Sequence, residues 1–299
     1  MSERFISMTL DASRATGVFL GYSQQELDNA YDQRQWAANA GEVIARYATD
    51  SAAVRQAYPP QTERFGPSDA EVLDIFAPRS AKNLPVMVFV HGGGWRILTK
   101  ADASAPAPTF VDNGCLYVAL NFACIPAVRL PDMAAQCRSA LLWLHENIAR
   151  FGGDPSRIFI SGHSSGGHLC GVLATTDWAK LGGPARLVKG AVAMSGMYDL
   201  YPVMLSQRSA YVELSQEEIS DLSPMRHLSH VTFPVLTVYG DQESPEFIRQ
   251  SRDFSAALAG MGQLADSIVL RETNHFEVSE QLNDAGTRLS TAVLELMRR

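Results

Sequence analysis

The chain has 299 residues, 46% of them hydrophobic and 19% charged, with a formal net charge of −7. That is ample apolar material for a sizeable core and too little charge for a disordered chain. A net negative chain without a Lys/Arg stripe is a poor partner for nucleic acid or an anionic membrane surface, and no apolar run is long enough to span a bilayer.

In chain order, residues 1–65 are polar, helical in pattern and interleaved with tyrosines. The segment 1–14, MSERFISMTLDASR, lacks the basic-then-apolar order of a signal peptide, which makes a soluble cytoplasmic protein the expectation. The YPP at 58–60 ends the helical region, because proline breaks helices and restricts the residue before it. Short β-rich runs then alternate with amphipathic stretches. EVLDIFAP (71–78) reads as a strand, and LPVMVFVH (84–91) and CLYVALNF (115–122) as strands covered on both faces. Residues 131–153 carry helical periodicity, with Pro131 near the start and glycines at the end. RIFISGH (157–163), VKGAVAMSG (188–196), FPVLTVYG (233–240) and DSIVLRE (266–272) read as further strands, and 283–299 as a closing helix.

This alternation predicts a single α/β domain over 1–299, with a mostly parallel central sheet and helices on both faces. Residues 197–230 break the rhythm. A connection that long predicts a small helical cap, placed over the active site. The four cysteines, Cys115, Cys124, Cys137 and Cys170, form no CxxC pair and sit among apolar neighbours, so buried reduced thiols are expected.

Chemistry is concentrated in three places. Gly162-His163-Ser164-Ser165-Gly166 is a G-x-S-x-G pattern between an apolar β run and a helical one. A serine at a sharp strand-to-helix turn needs small residues two positions either side, so that the turn closes with Oγ exposed. Upstream, His91-Gly92-Gly93-Gly94-Trp95 ends a strand. Successive glycines can turn their amides toward one point, as an oxyanion hole requires. Gly93, Gly94 and Ser165 are the expected amide donors. Of the seven histidines, His275 lies in the loop between the last strand and the last helix, at the carboxyl edge of the sheet where ligands collect. It is the expected base for Ser164. His91 is read as a brace for the glycine loop, and His163 and His168 as packing or hydrogen-bonding residues.

An acid must orient the histidine, and three are available. Glu243 stands just before Ser244-Pro245, which looks like an N-cap and a first-turn proline. Asp241 follows the turning Gly240 and could instead bond local backbone. Asp199 follows the preceding strand. Register favours Glu243, with Asp241 as the alternative acid. No HxxH or clustered ligand set points to a metal, and no cofactor is expected.

With these residues in view, the sequence resembles the α/β-hydrolase superfamily, and more narrowly the kynurenine formamidase group and its bacterial esterase and amidase relatives. The resemblance rests on HGGGW, SGHSSGGHL, ESPEFIRQSRDF and NHF, with ELDNAYDQR in support. It implies the α/β-hydrolase fold, and it puts the family's acid on Glu243, immediately before the SPEF run. There are two departures: glutamate replaces the family's aspartate, and Gly94 stands where eukaryotic formamidases often carry tyrosine. The implied activity is metal-independent serine hydrolysis of a small-molecule acyl substrate, such as a formyl group on an aryl amine. Trp95 and nearby tyrosines would line an aromatic pocket, and Arg34, Arg129 or Arg208 would meet a substrate carboxylate. A general carboxylesterase or carbamate hydrolase has the same motifs. A non-catalytic binding module on the same fold is the reading from another class, disfavoured because nucleophile, base, acid and donors are all present. A homodimer is compatible with each.

Overall fold

The computed structural model describes residues 17–299. The reading of 1–14 as free of a leader pattern therefore lies outside the described residues. Helix α1 (Gln24–Ala30) starts at a capping box between Ser23 and Glu26, which satisfies amide donors otherwise left open in the first turn. Helix α2 (Ala40–Ala57) follows. Residues 61–64, expected within the helical region, instead form an edge strand, β1 (Gln61–Arg64). Pro59 and Pro60 end the helix, and the extended chain beyond them pairs antiparallel with β2 (Val72–Phe76), Gln61 opposite Ile75.

The rest alternates as expected: β3 (Leu84–Val90), α3 (Ala107–Val111), β4 (Leu116–Leu120), α4 (Leu130–Asn147), β5 (Gly153–His163), α5 (Ser165–Ala174) and β6 (Val188–Met194). After the connection containing α6 (Tyr201–Leu205) and α7 (Gln216–Asp221) come β7 (Val235–Gly240), α8 (Pro245–Gly260), β8 (Leu264–Leu270) and α9 (Arg288–Arg298). The eight strands form one sheet in the order β1-β2-β4-β3-β5-β6-β7-β8. β2 is antiparallel to both of its neighbours, and from β4 to β8 every pairing is parallel.

Two cores follow from the two-residue repeat of a strand. Val86, Val88 and Val90 of β3 face α1, α4, α5 and α8. Met87 and Phe89 face the other side, with α3 and α9. The parallel arrangement has a functional consequence. The loops that leave β3, β5, β6, β7 and β8 all emerge at the same edge of the sheet, which brings residues from distant parts of the chain together.

The 197–230 segment folds into α6, α7 and short 3₁₀ turns. It is fastened by Val203, Val212, Ile219 and Leu222, all buried in the first core. It is also clasped to α1: Gln24 Nε2 donates to the Leu205 carbonyl at 2.8 Å, and the Gln207 amide donates to Asp28 Oδ1 at 2.6 Å.

Candidate active site

Ser164 ends the β5 turn with φ +60° and ψ −123°, a strained conformation for a residue with a side chain. The turn closes only because its flanks lack Cβ atoms. A Cβ on Gly162 would lie 2.2 Å from the Gly166 carbonyl oxygen, and one on Gly166 would lie 2.1 Å from that of Val90. The Ser164 amide donates to the Met194 carbonyl at 3.0 Å, and Ser164 accepts the His168 amide as α5 begins.

His275 reaches Ser164 Oγ with Nε2 at 2.8 Å and Glu243 Oε2 with Nδ1 at 2.9 Å. All three residues are buried. A buried carboxylate needs its oxygens satisfied, and Glu243 Oε1 accepts from Ser195 Oγ at 2.5 Å and from the Gly240 amide at 2.7 Å. With both oxygens engaged, Glu243 holds the imidazole with Nδ1 protonated and Nε2 turned to the hydroxyl, the tautomer a base for Ser164 requires. Sequence reasoning did not single out Ser195. The signal available was a Ser-Gly pair directly after an apolar strand, the same position in β6 that the glycine loop holds in β3. Asp241 does not join this chain of hydrogen bonds. Its side chain lies 3.5 Å from the exposed Arg271, and its amide donates to the Leu270 carbonyl. Asp199 accepts the Tyr201 amide and faces Arg226.

Around the hydroxyl, Gly93 (φ +101°) and Gly94 (φ +62°) adopt conformations open to glycine. The amides of Gly93, Gly94 and Ser165 donate to no atom among the described residues. Ser165 Oγ accepts the Trp95 amide at 3.2 Å, which ties the glycine loop to the serine turn. His163 donates through Nε2 to the His275 carbonyl at 2.8 Å, and the two rings lie 4.7 Å apart. Burial and the adjacent His275 hold His163 well below the usual histidine range, so it stays neutral. His91 stacks on Phe122 at 4.3 Å, which fits a brace for the loop. A cavity of about 670 Å³ opens onto Ser164 and His275, walled by the glycine loop, Tyr31 and Tyr47 of the N-terminal region, Arg208 and Tyr211 of the 197–230 segment, and Phe276. A hydroxyl paired with an imidazole beside amides that donate to no atom among the described residues is an arrangement for attack on an acyl carbon.

The BD-FAE family model matches residues 73–258, from β2 into α8. The chain belongs to the BD-FAE family. The BD-FAE chain is also 27% identical to the kynurenine formamidase of Danio rerio over 92% of its own length and 97% of that protein's. It is 31% identical to Mycobacterium tuberculosis esterase LipQ, over 66% of this chain and 52% of that protein. A solved structure from Silicibacter described as a thioesterase superposes with TM-score 0.78 at 24% identity, covering 90% of this chain and 98% of that one. An esterase from Pyrobaculum calidifontis superposes with TM-score 0.68 at 18% identity, covering 90% and 96%. The BD-FAE chain therefore has the α/β-hydrolase fold and is a serine hydrolase of ester or amide bonds. Among the described residues no helix is long and apolar enough to cross a membrane.

The selective segments of this BD-FAE chain act through a buried network. Tyr31 Oη donates to Glu246 Oε2 at 2.9 Å, and Arg249 binds both oxygens of Glu246 at 2.8 Å. Gln250 donates to Tyr31 Oη at 3.0 Å, and Gln33 donates to Ser244 Oγ at 2.6 Å. The SPEF run thus anchors the N-terminal region that walls the cavity. One expectation needs correction: Trp95 does not line the cavity. The positive φ of Gly94 and Trp95 turns the indole into the core, where it is 1% exposed and packs edge-on to His168 at 5.3 Å. Of the three arginines, Arg129 is bound to Glu218 of α7 and does not line the cavity, Arg34 lines it but is paired with Asp32, and Arg208 lines it without a carboxylate partner among the described residues.

Proposed function

We propose that the chain removes a small acyl group from an aryl amide or ester, with Ser164 as nucleophile, His275 as general base and acid, Glu243 as the orienting carboxylate, and the amides of Gly93, Gly94 and Ser165 as the oxyanion hole. The observation that carries this is the continuous chain Ser164–His275–Glu243, at 2.8 and 2.9 Å, beside amides that donate to no atom among the described residues. His275 Nε2 takes the proton of Ser164 as Oγ attacks the carbonyl carbon. The amides hold the tetrahedral oxygen. The same proton then passes to the leaving amine or alcohol, and water repeats the sequence to free the acid. The preferred substrate is an arylformamide such as N-formylkynurenine. Support comes from the near end-to-end match to two kynurenine formamidases, from Danio rerio and Salmo salar, and from the aromatic side chains of Tyr31, Tyr47, Tyr211 and Phe276 around the cavity. The four unpaired cysteines fit a cytoplasmic setting.

The test has two parts. Diisopropyl fluorophosphate is expected to phosphorylate Ser164, fluoride leaving and a diisopropylphosphoryl group replacing the hydroxyl proton, and Ser164→Ala to lose both the label and turnover while melting normally; activity surviving that substitution defeats the proposed nucleophile. N-formylkynurenine is then compared with p-nitrophenyl acetate. Esterase relatives such as LipQ favour a second reading, a general carboxylesterase, and that reading prevails if the formamide is cleaved no faster than the ester.

A further inference from the structure

We infer that Arg208, together with Tyr211 and Arg96, forms an anion-binding subsite that selects substrates with a carboxylate on the leaving group. The inference rests on the acyl-hydrolase reading above: because the acyl group is small, a recognition charge belongs to the leaving group.

Charge balance is the first argument. Arg34, Arg46, Arg129 and Arg249 are each bound to an acidic side chain at 2.8 Å or less. Arg208 and Arg96 line the cavity and face no carboxylate among the described residues. The acids on the same wall are already engaged. Asp32 is held by Arg34 at 2.8 and 3.0 Å, and Asp102 accepts the Thr99 amide and hydroxyl at 2.8 and 3.0 Å.

Preorganisation is the second. Arg208 Nε and Nη2 both donate to the Tyr31 carbonyl, at 3.0 and 2.7 Å, and Nη1 donates to Tyr211 Oη at 2.9 Å. Tyr31 is itself fixed by Glu246 and Gln250. The guanidinium is therefore held in one orientation with N–H groups to spare. A charged fork already immobilised loses little freedom on binding a carboxylate. Tyr211 accepts from Arg208, which leaves its own O–H to donate to the same anion, and the Arg96 guanidinium lies over its ring at 4.8 Å from the centroid.

Position is the third. A Cβ at Gly94 would stand 3.5 Å from Arg208 Nη1 and 3.8 Å from Tyr211 Oη. The subsite therefore adjoins the glycine loop, and the missing side chain at residue 94 leaves it open to a ligand whose scissile bond lies at Ser164.

The experiment compares 3-acetoxybenzoate with its uncharged counterpart 3-acetoxybenzamide. Wild type is expected to favour the carboxylate in kcat/KM. Arg208→Gln is expected to lower the carboxylate-to-carboxamide ratio by roughly ten- to hundredfold, chiefly through KM, as for loss of hydrogen bonds to a charged group. Tyr211→Phe should lower it less, and Arg208→Lys should fall between. Benzoate, as a competitive inhibitor, should weaken in parallel. No preference in wild type, a ratio unmoved by Arg208→Gln, or equal losses on both substrates would overturn the subsite; the last would mean that Arg208 serves packing or the oxyanion. If Arg208→Gln fails to fold, the Lys and Tyr211→Phe variants carry the same ratio test. Organophosphate labelling of Ser164 is read alongside. A labelled serine with an unchanged ratio defeats the subsite alone, whereas an unlabelled wild type defeats the hydrolase scheme itself.

Discussion

At the scale of single residues, the arrangement turns on which carboxylate meets His275. Glu243 and Asp241 are two positions apart, yet only Glu243 points inward, because the Gly240 amide and Ser195 Oγ hold its other oxygen. Glu243→Gln is expected to lower kcat by about a thousand- to ten-thousandfold, as when the third member of a Ser-His-acid triad loses its charge. Asp241→Asn, at a half-buried position beside an exposed arginine, should change kcat by less than about threefold. Steady-state kinetics on one ester decide between them, and the reverse result would move the role to Asp241. Ser195→Ala removes one donor from a buried carboxylate; a loss of roughly tenfold in kcat is expected, smaller than for Glu243→Gln. Cysteine chemistry also belongs at this scale. Burial raises the thiols of Cys115 to about 11 and Cys170 to about 12, and pushes Cys137 up further. A thiol reagent is expected to react slowly with native protein and to titrate all four cysteines after denaturation.

At the scale of elements, the turn from β5 into α5 is the stiffest demand the fold makes. Its serine is strained and its glycines leave no room for a methyl group. Gly166→Ala drives a Cβ into the carbonyls of Val90 and His91, and a loss of about 3 kcal/mol or more is expected, read as a lower urea midpoint or as failure to accumulate soluble protein. Gly41 is the contrast. It lies in the first turn of α2, and a Cβ there would meet nothing within 4 Å. Gly41→Ala should raise stability by about 0.5–1 kcal/mol, because alanine has less backbone freedom to lose in the unfolded chain. The two changes are chemically identical and opposite in sign, so a pair of urea curves tests the geometry of both sites.

At the scale of the whole molecule, buried neutral histidines make stability depend on pH. Burial lowers His91 and His168 to about 4, and burial with the adjacent His275 holds His163 well below its ordinary value. In the unfolded chain each titrates near 6.5. Between about pH 6.5 and 4 the unfolded state therefore binds protons that the folded state refuses. The stabilisation is complete above pH 6.5 and is lost as pH falls toward 4, at up to about 1.4 kcal/mol per pH unit for each histidine. Thermal melts should show a lower Tm at pH 5 than at pH 7.5, and a flat profile would contradict the buried neutral state.

Much of this architecture was legible from the residues alone. Seven of the eight strands, the long helices, the serine turn, the glycine loop and the histidine of the last loop are local patterns, set by side-chain period and by glycine and proline chemistry that a short window contains. The edge strand at 61–64 was not, because a polar four-residue run becomes a strand only when β2 offers it a partner. Nor was the placement of Trp95, whose direction depends on two consecutive positive φ angles. Ser195, Tyr31 and Arg208 act across separations of 48 to 215 residues, through hydrogen bonds to Glu243, Glu246 and Tyr31. The sequence by itself determined which elements form and which residue types could react. The tertiary structure alone decided that Glu243 meets His275, that Ser195 holds that carboxylate and that Arg208 faces the cavity, because direction and proximity arise only when the sheet brings its loops to one edge.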